Sequence, residues 1–225
     1  MGKTGNKNYL IVSSISEQDT KHPEKWVSEK VNYDLVYLSY SKNVHFLAML
    51  KFMALSIDNF KAFRVYSGKW KNIKLFFDKY GFGEYKYFWF PDCDIDIEID
   101  QICKLFKFTE TMNFDLCQPA VTLDSFESHS FLYQQKDSVF RSVPFVEVMC
   151  PMFKREVLES LLWTFDLSYS GYGLDMLWAK YFQGYVIDCI TVKHMREQNF
   201  RNRAKQAGFP NPNYELKMIK EKYLR

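Results

Sequence analysis

The sequence has little glycine and proline, no closely spaced pair of cysteines and no long apolar run. Its 225 residues include nine glycines and seven prolines, too few for a fibrous or low-complexity chain. Its five cysteines lack a C-x-x-C pair, which disfavours a disulfide framework and a zinc knuckle and predicts reduced, mostly buried thiols. The longest apolar stretches, such as residues 46–50, are far shorter than the roughly twenty residues that a membrane-spanning helix needs.

Neither sign of charge dominates. The 30 basic residues nearly balance the 27 acidic ones, and the net charge of +3 argues against nucleic acid as a partner. Residues 193–225 nevertheless carry nine Lys or Arg against three Glu. Such a tail is usually a solvated terminal helix, but it can also face an anionic membrane. Because residues 1–7 are polar and show no export signal, we expect a cytoplasmic protein, with the basic C-terminus as a candidate for peripheral contact at the inner face of the membrane.

Aromatic residues are abundant. The 21 Phe, 15 Tyr and 5 Trp make up 18% of the chain, enough apolar surface to exclude a disordered protein. Strand-like and helix-like segments alternate through residues 1–118, which predicts an α/β fold with a mostly parallel central sheet flanked by helices. The spacing is less regular in residues 119–225, so we expect antiparallel additions there. The chain shows no repeat and no linker, and one domain is therefore predicted.

Hydrophobic periodicity places the predicted elements along the chain. Strands are expected at residues 8–13, 34–39, 62–66, 87–90, 114–118, 139–149 and 185–190, and helices at 44–55, 69–79, 98–108, 154–165, 174–182 and 213–224.

The strongest local signal is a set of alternating aspartates, Asp92, Asp94 and Asp96, directly after the aromatic strand at residues 87–90. Acids at the carboxyl end of a central strand lie where open α/β sheets bind ligands. Three carboxylates this close repel one another unless a cation or solvent intervenes. Mg²⁺ or Mn²⁺, held by one or two carboxylates and by substrate phosphates, would remove that repulsion. The alternative is a solvated acidic loop that caps the next helix.

Two other chemistries share this aspartate pattern. An EF-hand starting at Asp92 would need Gly at its sixth position and Glu at its twelfth, where the chain has Ile97 and Cys103, so that interpretation fails. A phosphohydrolase of the haloacid dehalogenase type, with Asp92 as nucleophile, remains an alternative, although its motif usually follows the first strand. A carbohydrate-binding module whose aromatic rings stack on sugars without turnover is a further alternative.

An apolar strand ending in D-x-D, after some ninety residues of alternating strand and helix, resembles a GT-A-fold glycosyltransferase. More narrowly, the chain resembles a family of bacterial and plant proteins with a glycosyltransferase-like domain of unknown function. One departure is Cys93, where that family often carries another acid. The matching segments, in order, are His22…Trp26, Tyr33-Asp-Leu-Val-Tyr-Leu-Ser-Tyr, Gly68-Lys-Trp-Lys-Asn-Ile, Trp89-Phe-Pro-Asp-Cys-Asp-Ile, Gln118-Pro-Ala, Phe145-Val-Glu-Val-Met-Cys-Pro-Met-Phe, Gly171-Tyr-Gly-Leu-Asp and Val192-Lys-His.

The resemblance implies sugar transfer from a nucleoside-diphosphate sugar to a carbohydrate or lipid-linked acceptor, with Mn²⁺ or Mg²⁺ bridging the diphosphate. Asp94 would be the main metal ligand, and Asp92 would bind the ion, the ribose or a water on the ion. His194 would be a second protein ligand, and its imidazole suits Mn²⁺ better than Mg²⁺. Whether Asp96 joins the site is left open. Residues 1–118 would bind the donor and residues 119–225 the acceptor.

Four further residues are candidates. Ser13, at the end of the first strand, lies where this fold meets the nucleoside. Lys69, at a helix N-terminus that presents free N–H groups to anions, could approach the nucleotide or belong to a solvated lysine face. The resemblance places Asp175 opposite the acceptor as the general base, whereas its sequence context also fits a helix-capping carboxylate. Glu147, in a predicted strand, is the other candidate for base or acceptor binding, or faces solvent.

Overall fold

The elements of the computed structural model, which describes residues 7–17, 23–126, 128–196 and 210–225, alternate largely as the sequence predicts. Short 3-10 turns occupy Pro23–Trp26, Ser130–Leu132 and Leu162–Asp166. The strands are β1 (Tyr9–Ile15), β2 (Tyr33–Ser39), β3 (Phe60–Arg64), β4 (Tyr87–Trp89), β5 (Ile95–Asp96), β6 (Leu116–Val121), β7 (Arg141–Val143), β8 (Met152–Lys154) and β9 (Gly184–His194). The helices are α1 (Val44–Ser56), α2 (Lys69–Tyr80), α3 (Ile99–Met112), α4 (Arg155–Leu161), α5 (Leu174–Ala179) and α6 (Pro212–Tyr223).

The strands form one mixed sheet in the order β3-β2-β1-β4-β8-β6-β9-β5, with β7 also paired to β9. Strands β1 to β4 are parallel, and the antiparallel strand β8 joins them to the parallel pair β6 and β9. The predicted parallel sheet with antiparallel additions is therefore confirmed. Because β1, β4, β6 and β9 run in the same direction, their carboxyl ends meet at one edge of the sheet, where α/β sheets bind ligands.

Aromatic side chains fill the core between the sheet and the helices on one of its faces. The Trp70 ring on α2 lies edge-on to Phe165 and Trp178, with ring centroids 4.7 and 5.0 Å apart. Edge-to-face contacts of this kind add to the free energy gained by removing the rings from water. Since Trp70 comes from the first part of the chain and its two partners from the second, this cluster packs the two parts together.

The structure corrects the strand that was predicted at residues 139–149. Only Arg141–Val143 are extended in the sheet. Pro144 follows them, and it has no N–H to donate to a strand partner. Residues 145–150 therefore leave the sheet, and Glu147 is buried with its N–H donating to the side chain of Gln118. The predicted helix at 154–165 is also divided, because α4 ends at Leu161 and a 3-10 turn continues to Asp166.

The C-terminal helix α6 packs on the protein rather than standing free in solvent. The Ile219 side chain is buried against the Gly173 turn, and the Glu215 carboxylate is buried as well. Asn211 caps the helix by accepting a hydrogen bond from the Asn213 N–H, and Pro212 follows at the first helical position. Residues 197–209 of the basic tail, like His22, lie outside the described residues. Among the described residues, no helix has the length and apolarity needed to cross a membrane.

Candidate functional site

The backbone after β4 fixes Asp94 beside the end of β9. Strand β5 pairs antiparallel with β9 so that Ile95 lies opposite His194. The Met195 N–H donates to the Asp94 carbonyl at 2.9 Å. This bond ties the residue before β5 to the residue after β9. The loop after β6 supports His194, whose N–H donates to Ser125 Oγ at 3.0 Å. As a result, His194 Nε2 lies 3.6 Å from Asp94 Oδ2.

This arrangement brings together two of the predicted metal ligands. His194 is the last residue of β9 rather than part of a loop after the strand, because β9 extends four residues further than predicted. Asp94 Oδ1 and His194 Nδ1 are both buried, and neither atom has a hydrogen-bond partner within the described part of the chain. Buried polar atoms are normally satisfied, so an unsatisfied atom on each of these two neighbouring side chains is consistent with a ligand-binding site.

The donor atoms fit a divalent cation, although they do not complete its coordination. Across residues 7–17, 23–126, 128–196 and 210–225, no group of three or more His, Cys, Asp or Glu side chains is arranged to hold a metal ion. Mg²⁺ and Mn²⁺ sites at nucleotide phosphates commonly use one or two protein side chains, because the phosphates and waters supply the other ligands. Asp94 and His194 therefore match this kind of site.

The charges of Asp94 and His194 stabilise one another. Burial by itself would raise the pKa of Asp94, but the hydrogen bond and positive charge of His194, together with the nearby Arg196, hold that pKa below its usual value. Burial would likewise lower the pKa of His194, and the Asp94 carboxylate raises it instead. Asp92 and Glu147 contribute to the same rise. The two pKa shifts thus describe a pair of side chains of opposite charge, with Arg196 as a second positive group beside Asp94.

Arg196 is a site residue that the sequence reasoning missed. Its Nε lies 3.3 Å from Asp94 Oδ2, and its Nη2 lies 3.4 Å from the sulfur of Cys93. Cys93 is thus a hydrogen-bond partner of this guanidinium. The signal for Arg196 was its place two residues after His194 within the basic stretch. A guanidinium at this position also suits a phosphate group.

Lys69 lies in the site but is directed at an acid. Its Nζ is 2.7 Å from Asp92 Oδ1 and 2.8 Å from the carbonyl oxygen of Val148. The side chain is mostly buried, so the solvated lysine face is excluded for this residue. Partial burial raises the pKa of Asp92, with the charge of Lys69 opposing that rise and Asp94 adding to it. Asp92 is thus paired with Lys69 and not with His194.

Asp96 and Ser13 do not share the environment of Asp94. The Asp96 carboxylate lies 3.1 Å from the Nζ of Lys25 at an exposed position, which separates it from the other two aspartates. Ser13 is fully buried in β1 beside Tyr37 of β2. The hydroxyls of Ser13 and Ser14 lack a hydrogen-bond partner among the described residues. Ser14, near the end of β1, is therefore a second candidate for contact with the nucleoside.

Asp175 stands at the start of α5, as predicted, in the first turn after two glycines. Gly171 and Gly173 both have φ of +89°, a conformation that favours glycine and turns the chain sharply into the helix. The Met176 N–H donates to Asp175 Oδ1 at 2.8 Å. Burial, opposed by these backbone N–H groups and reinforced by the charge of Glu147, raises the pKa of Asp175 to about 7. Asp175 is therefore a buried carboxyl group at a helix start whose pKa lies near neutral pH.

Glu147 is buried, so the alternative that it faces solvent from a strand is excluded. Its own N–H donates to Gln118 Oε1 at 2.7 Å, and its carboxylate accepts from the Ser128 hydroxyl at 2.8 Å. Gln118 lies on β6, so the sheet itself positions Glu147 after the chain leaves β7. Because Glu147 raises the pKa values of both Asp175 and His194, the three residues belong to one electrostatic cluster.

Comparisons with known proteins establish the fold. No protein-family model and no curated protein matches this sequence. GalNAc-T7, solved with UDP, GalNAc and Mn²⁺, is 12% identical with a TM-score of 0.65 over 85% of this chain and 44% of its own. A fragment of S. aureus TarS (1–349) with UDP-GlcNAc is 13% identical with a TM-score of 0.57 over 84% of this chain and 60% of its own. S. aureus TarS is 11% identical with a TM-score of 0.56 over 82% of this chain and 36% of its own.

The chain spans less than two thirds of the length of each of these proteins. At such low identity the likeness concerns the fold and not the activity. The narrower family resemblance has no support from these comparisons. The structural neighbours are glycosyltransferases of the GT-A type, and this chain has the GT-A fold.

Proposed function

We propose that the protein is a metal-dependent glycosyltransferase that moves a sugar from a nucleoside-diphosphate sugar to a hydroxyl group of a carbohydrate or lipid-linked acceptor. One observation carries the proposal. Asp94 and His194 face each other at the ligand-binding edge of a GT-A sheet, and each has a buried polar atom without a hydrogen-bond partner among the described residues. Support comes from neighbours solved with UDP, with UDP-GlcNAc and with Mn²⁺.

The donor side would use Asp94 and His194 to hold Mn²⁺ or Mg²⁺, with Asp92 as a further candidate ligand. The bound ion would supply positive charge that stabilises the diphosphate leaving group. Arg196 would donate hydrogen bonds to the same phosphates, since it already reaches the Asp94 carboxylate at 3.3 Å. Lys69 would keep Asp92 oriented through the 2.7 Å ion pair. Ser13 is proposed near the nucleoside.

On the acceptor side, Asp175 would be the general base of an inverting transfer. The acceptor O–H bond breaks as its oxygen forms a bond to the anomeric carbon, the proton passes to the Asp175 carboxylate, and the nucleoside diphosphate leaves. A base is most effective when its pKa lies near the working pH, and the pKa of Asp175 is about 7. Glu147 would bind the acceptor or replace Asp175 as the base.

Calorimetric titration with UDP and UDP-sugars tests the metal site. Wild-type protein should bind the nucleotide with added Mn²⁺ and lose this binding with EDTA. Asp94→Asn should weaken Mn²⁺-dependent binding by about tenfold or more, because a carboxylate ligand becomes an amide. Asp96→Asn is the matched control, since Asp96 pairs with Lys25 outside the site, and its affinity should stay within about twofold of wild type.

The same titration separates the other candidates. Nucleotide binding that is unchanged by EDTA and by Asp94→Asn contradicts the metal role. A carbohydrate-binding module would bind glycans in chelator and ignore nucleotides. An aspartyl-phosphate phosphohydrolase would release phosphate from simple esters without any sugar nucleotide, and beryllofluoride would trap Asp92. Three expectations from the sequence remain predictions. They are the resemblance to the bacterial and plant family, the cytoplasmic location, and the membrane contact through the basic C-terminus.

A further inference from the structure

Helix α1 exposes an apolar face that no described residue covers. Its sequence, VHFLAMLKFMALS, has no acid and one lysine and is mostly apolar, with His45, Lys51 and Ser56 as its exposed polar residues. Phe46 and Leu50 pack on the protein, whereas Phe52 is 70% exposed and Leu55 80% exposed. Large apolar side chains that are exposed next to one another often mark a surface that contacts a protein or a membrane. We call the exposed residues Val44, Ala48, Met49, Phe52 and Leu55 the α1 apolar face.

The surroundings of this face are basic. Between residues 41 and 66 the chain has one acid, Asp58, and four basic residues, Lys42, Lys51, Lys61 and Arg64, all of them exposed. Lys51 lies directly beside the apolar face on α1. Long basic side chains can lie along apolar surface and keep their charge at a polar boundary, which is the arrangement of helices that lie in a membrane interface.

The neighbouring edge of the sheet has the same character. Strand β3 is the outermost strand, and α1 packs beside it. Between β3 and α2 lies an open groove of about 310 Å³ whose lining includes Tyr66, Leu75 and Lys79. The Tyr66 side chain is 82% exposed, and the Arg64 guanidinium carbon lies 5.2 Å from the centre of its ring. Apolar and basic groups therefore continue from α1 across this edge.

We propose that the α1 apolar face binds the surface of an anionic lipid bilayer, with α1 lying in the plane of the interface. The apolar side chains would enter the acyl boundary, and the surrounding cations would contact the lipid headgroups. A symmetric contact between two copies through this face would bring the basic surroundings of one copy close to those of the other, and these like charges would repel. The proposal does not depend on the proposed sugar transfer and concerns a surface other than the basic C-terminus.

Vesicle co-sedimentation of the full chain tests this surface. Wild type should bind vesicles of phosphatidylcholine with about one third phosphatidylglycerol at least about tenfold more than pure phosphatidylcholine vesicles. Phe52→Ser with Leu55→Ser should lower binding to the anionic vesicles by about tenfold or more. Leu123→Ser is the matched control, because Leu123 is 76% exposed elsewhere, and its binding should equal that of wild type.

Three results would overturn the proposal. Wild-type protein fails to bind anionic vesicles, the double variant binds them as well as wild type, or light scattering shows a dimer that the double variant dissociates. The replaced side chains are exposed, so the variants should keep the melting temperature of wild type. A variant of the charges, Lys42→Gln with Lys51→Gln, gives a second measurement that should also reduce binding to anionic vesicles.

Discussion

At the scale of single residues, burial decides what the candidate acids can do. Asp96 and Asp175 are both aspartates near a helix start, yet the first pairs with Lys25 at the surface and the second is buried beside Glu147. Burial disfavours the charged form of a carboxyl group and raises the pKa of Asp175 to about 7, which suits the general base proposed for this residue.

The activity should follow the titration of Asp175. If its ionised carboxylate accepts the acceptor proton, kcat should rise as the pH increases through about 7 and reach a plateau above it. Asp175→Asn should lower kcat by roughly a hundredfold or more and remove this pH dependence, while the affinity for nucleotide stays close to that of wild type. Rate measurements from pH 5 to 9 would check this (about the range over which such a group titrates).

The same residue predicts an effect on stability. The folded-state pKa of Asp175 is raised above the unfolded value, so folding favours the protonated form. Any stability from this group is fully present below the unfolded pKa and is lost as the pH rises through about 7. Asp175→Asn should therefore be more stable than wild type at pH 8, by about 2–4 kcal/mol. Urea unfolding at pH 4 and pH 8 tests this, and an equal effect at both pH values would contradict it.

At the scale of elements, α6 and α2 hold the turn that carries Asp175. The Glu215 carboxylate on α6 accepts hydrogen bonds from the N–H groups of Tyr169 and Ser170, at 2.6 and 3.0 Å. It also accepts from the hydroxyls of Ser168 and Ser170. On the other side, the Gly171 backbone lies directly against the indole of Trp70 from α2. The turn is thus packed between two helices that are distant in sequence.

Removal of the Glu215 carboxylate should loosen this turn. Glu215→Ala leaves several buried N–H and O–H groups without an acceptor, so the free energy of unfolding should fall by about 2–4 kcal/mol. Glu221→Ala on the same helix is the control, because Glu221 forms an exposed 3.8 Å pair with Lys217, and its effect should stay below about 0.5 kcal/mol. Equal losses in urea unfolding would contradict the special role of Glu215.

Substitutions at Gly171 and Gly81 test how tightly Gly171 packs in this turn. Gly81, which follows the end of α2, is the comparison position. Both have positive φ, +89° and +68°. A Cβ at Gly171 would lie 2.6 Å from Trp70 Nε1, whereas one at Gly81 would meet nothing within 4 Å. Gly81→Ala should lower the free energy of unfolding by about 1–3 kcal/mol through its backbone conformation alone, and Gly171→Ala should lower it by more, because its Cβ also overlaps Trp70. Similar melting temperatures for the two variants would show that the turn can move away from Trp70.

At the scale of the whole molecule, the sheet joins the predicted donor and acceptor halves. Strand β8 pairs with β4 on one side and with β6 on the other, and Trp70 packs against Phe165 and Trp178. A boundary at residue 118 would divide β6 itself, which spans Leu116–Val121. The halves therefore describe where ligands are proposed to bind rather than separate folding units.

The chain should accordingly unfold in one cooperative transition. Urea unfolding followed by tryptophan fluorescence and by far-ultraviolet circular dichroism should give coincident curves with one midpoint, because the two halves share a core. Two separate transitions, or a stable fragment of residues 1–118, would show that the halves fold independently.

The sequence by itself determined the element types and the class of fold. Helical periodicity placed α1, α2 and α6 within one residue of their ends, and the aromatic run at residues 87–90 predicted β4. These signals are local, because side-chain periodicity and turn residues act within a few positions along the chain. Prediction failed at residues 139–149, where Pro144 and pairing with distant strands override the strand propensity of individual residues.

Only the tertiary structure decided which of the predicted residues meet. Asp94 and His194 are 100 positions apart, and antiparallel pairing of β5 with β9 brings them together. The same contact brings in Arg196, while Lys69 turns to Asp92 and Glu147 leaves its predicted strand to lie near Asp175. The physical reason is that partner choice, burial and the resulting pKa values depend on contacts between distant segments. The order of residues along the chain does not contain these contacts in any local form.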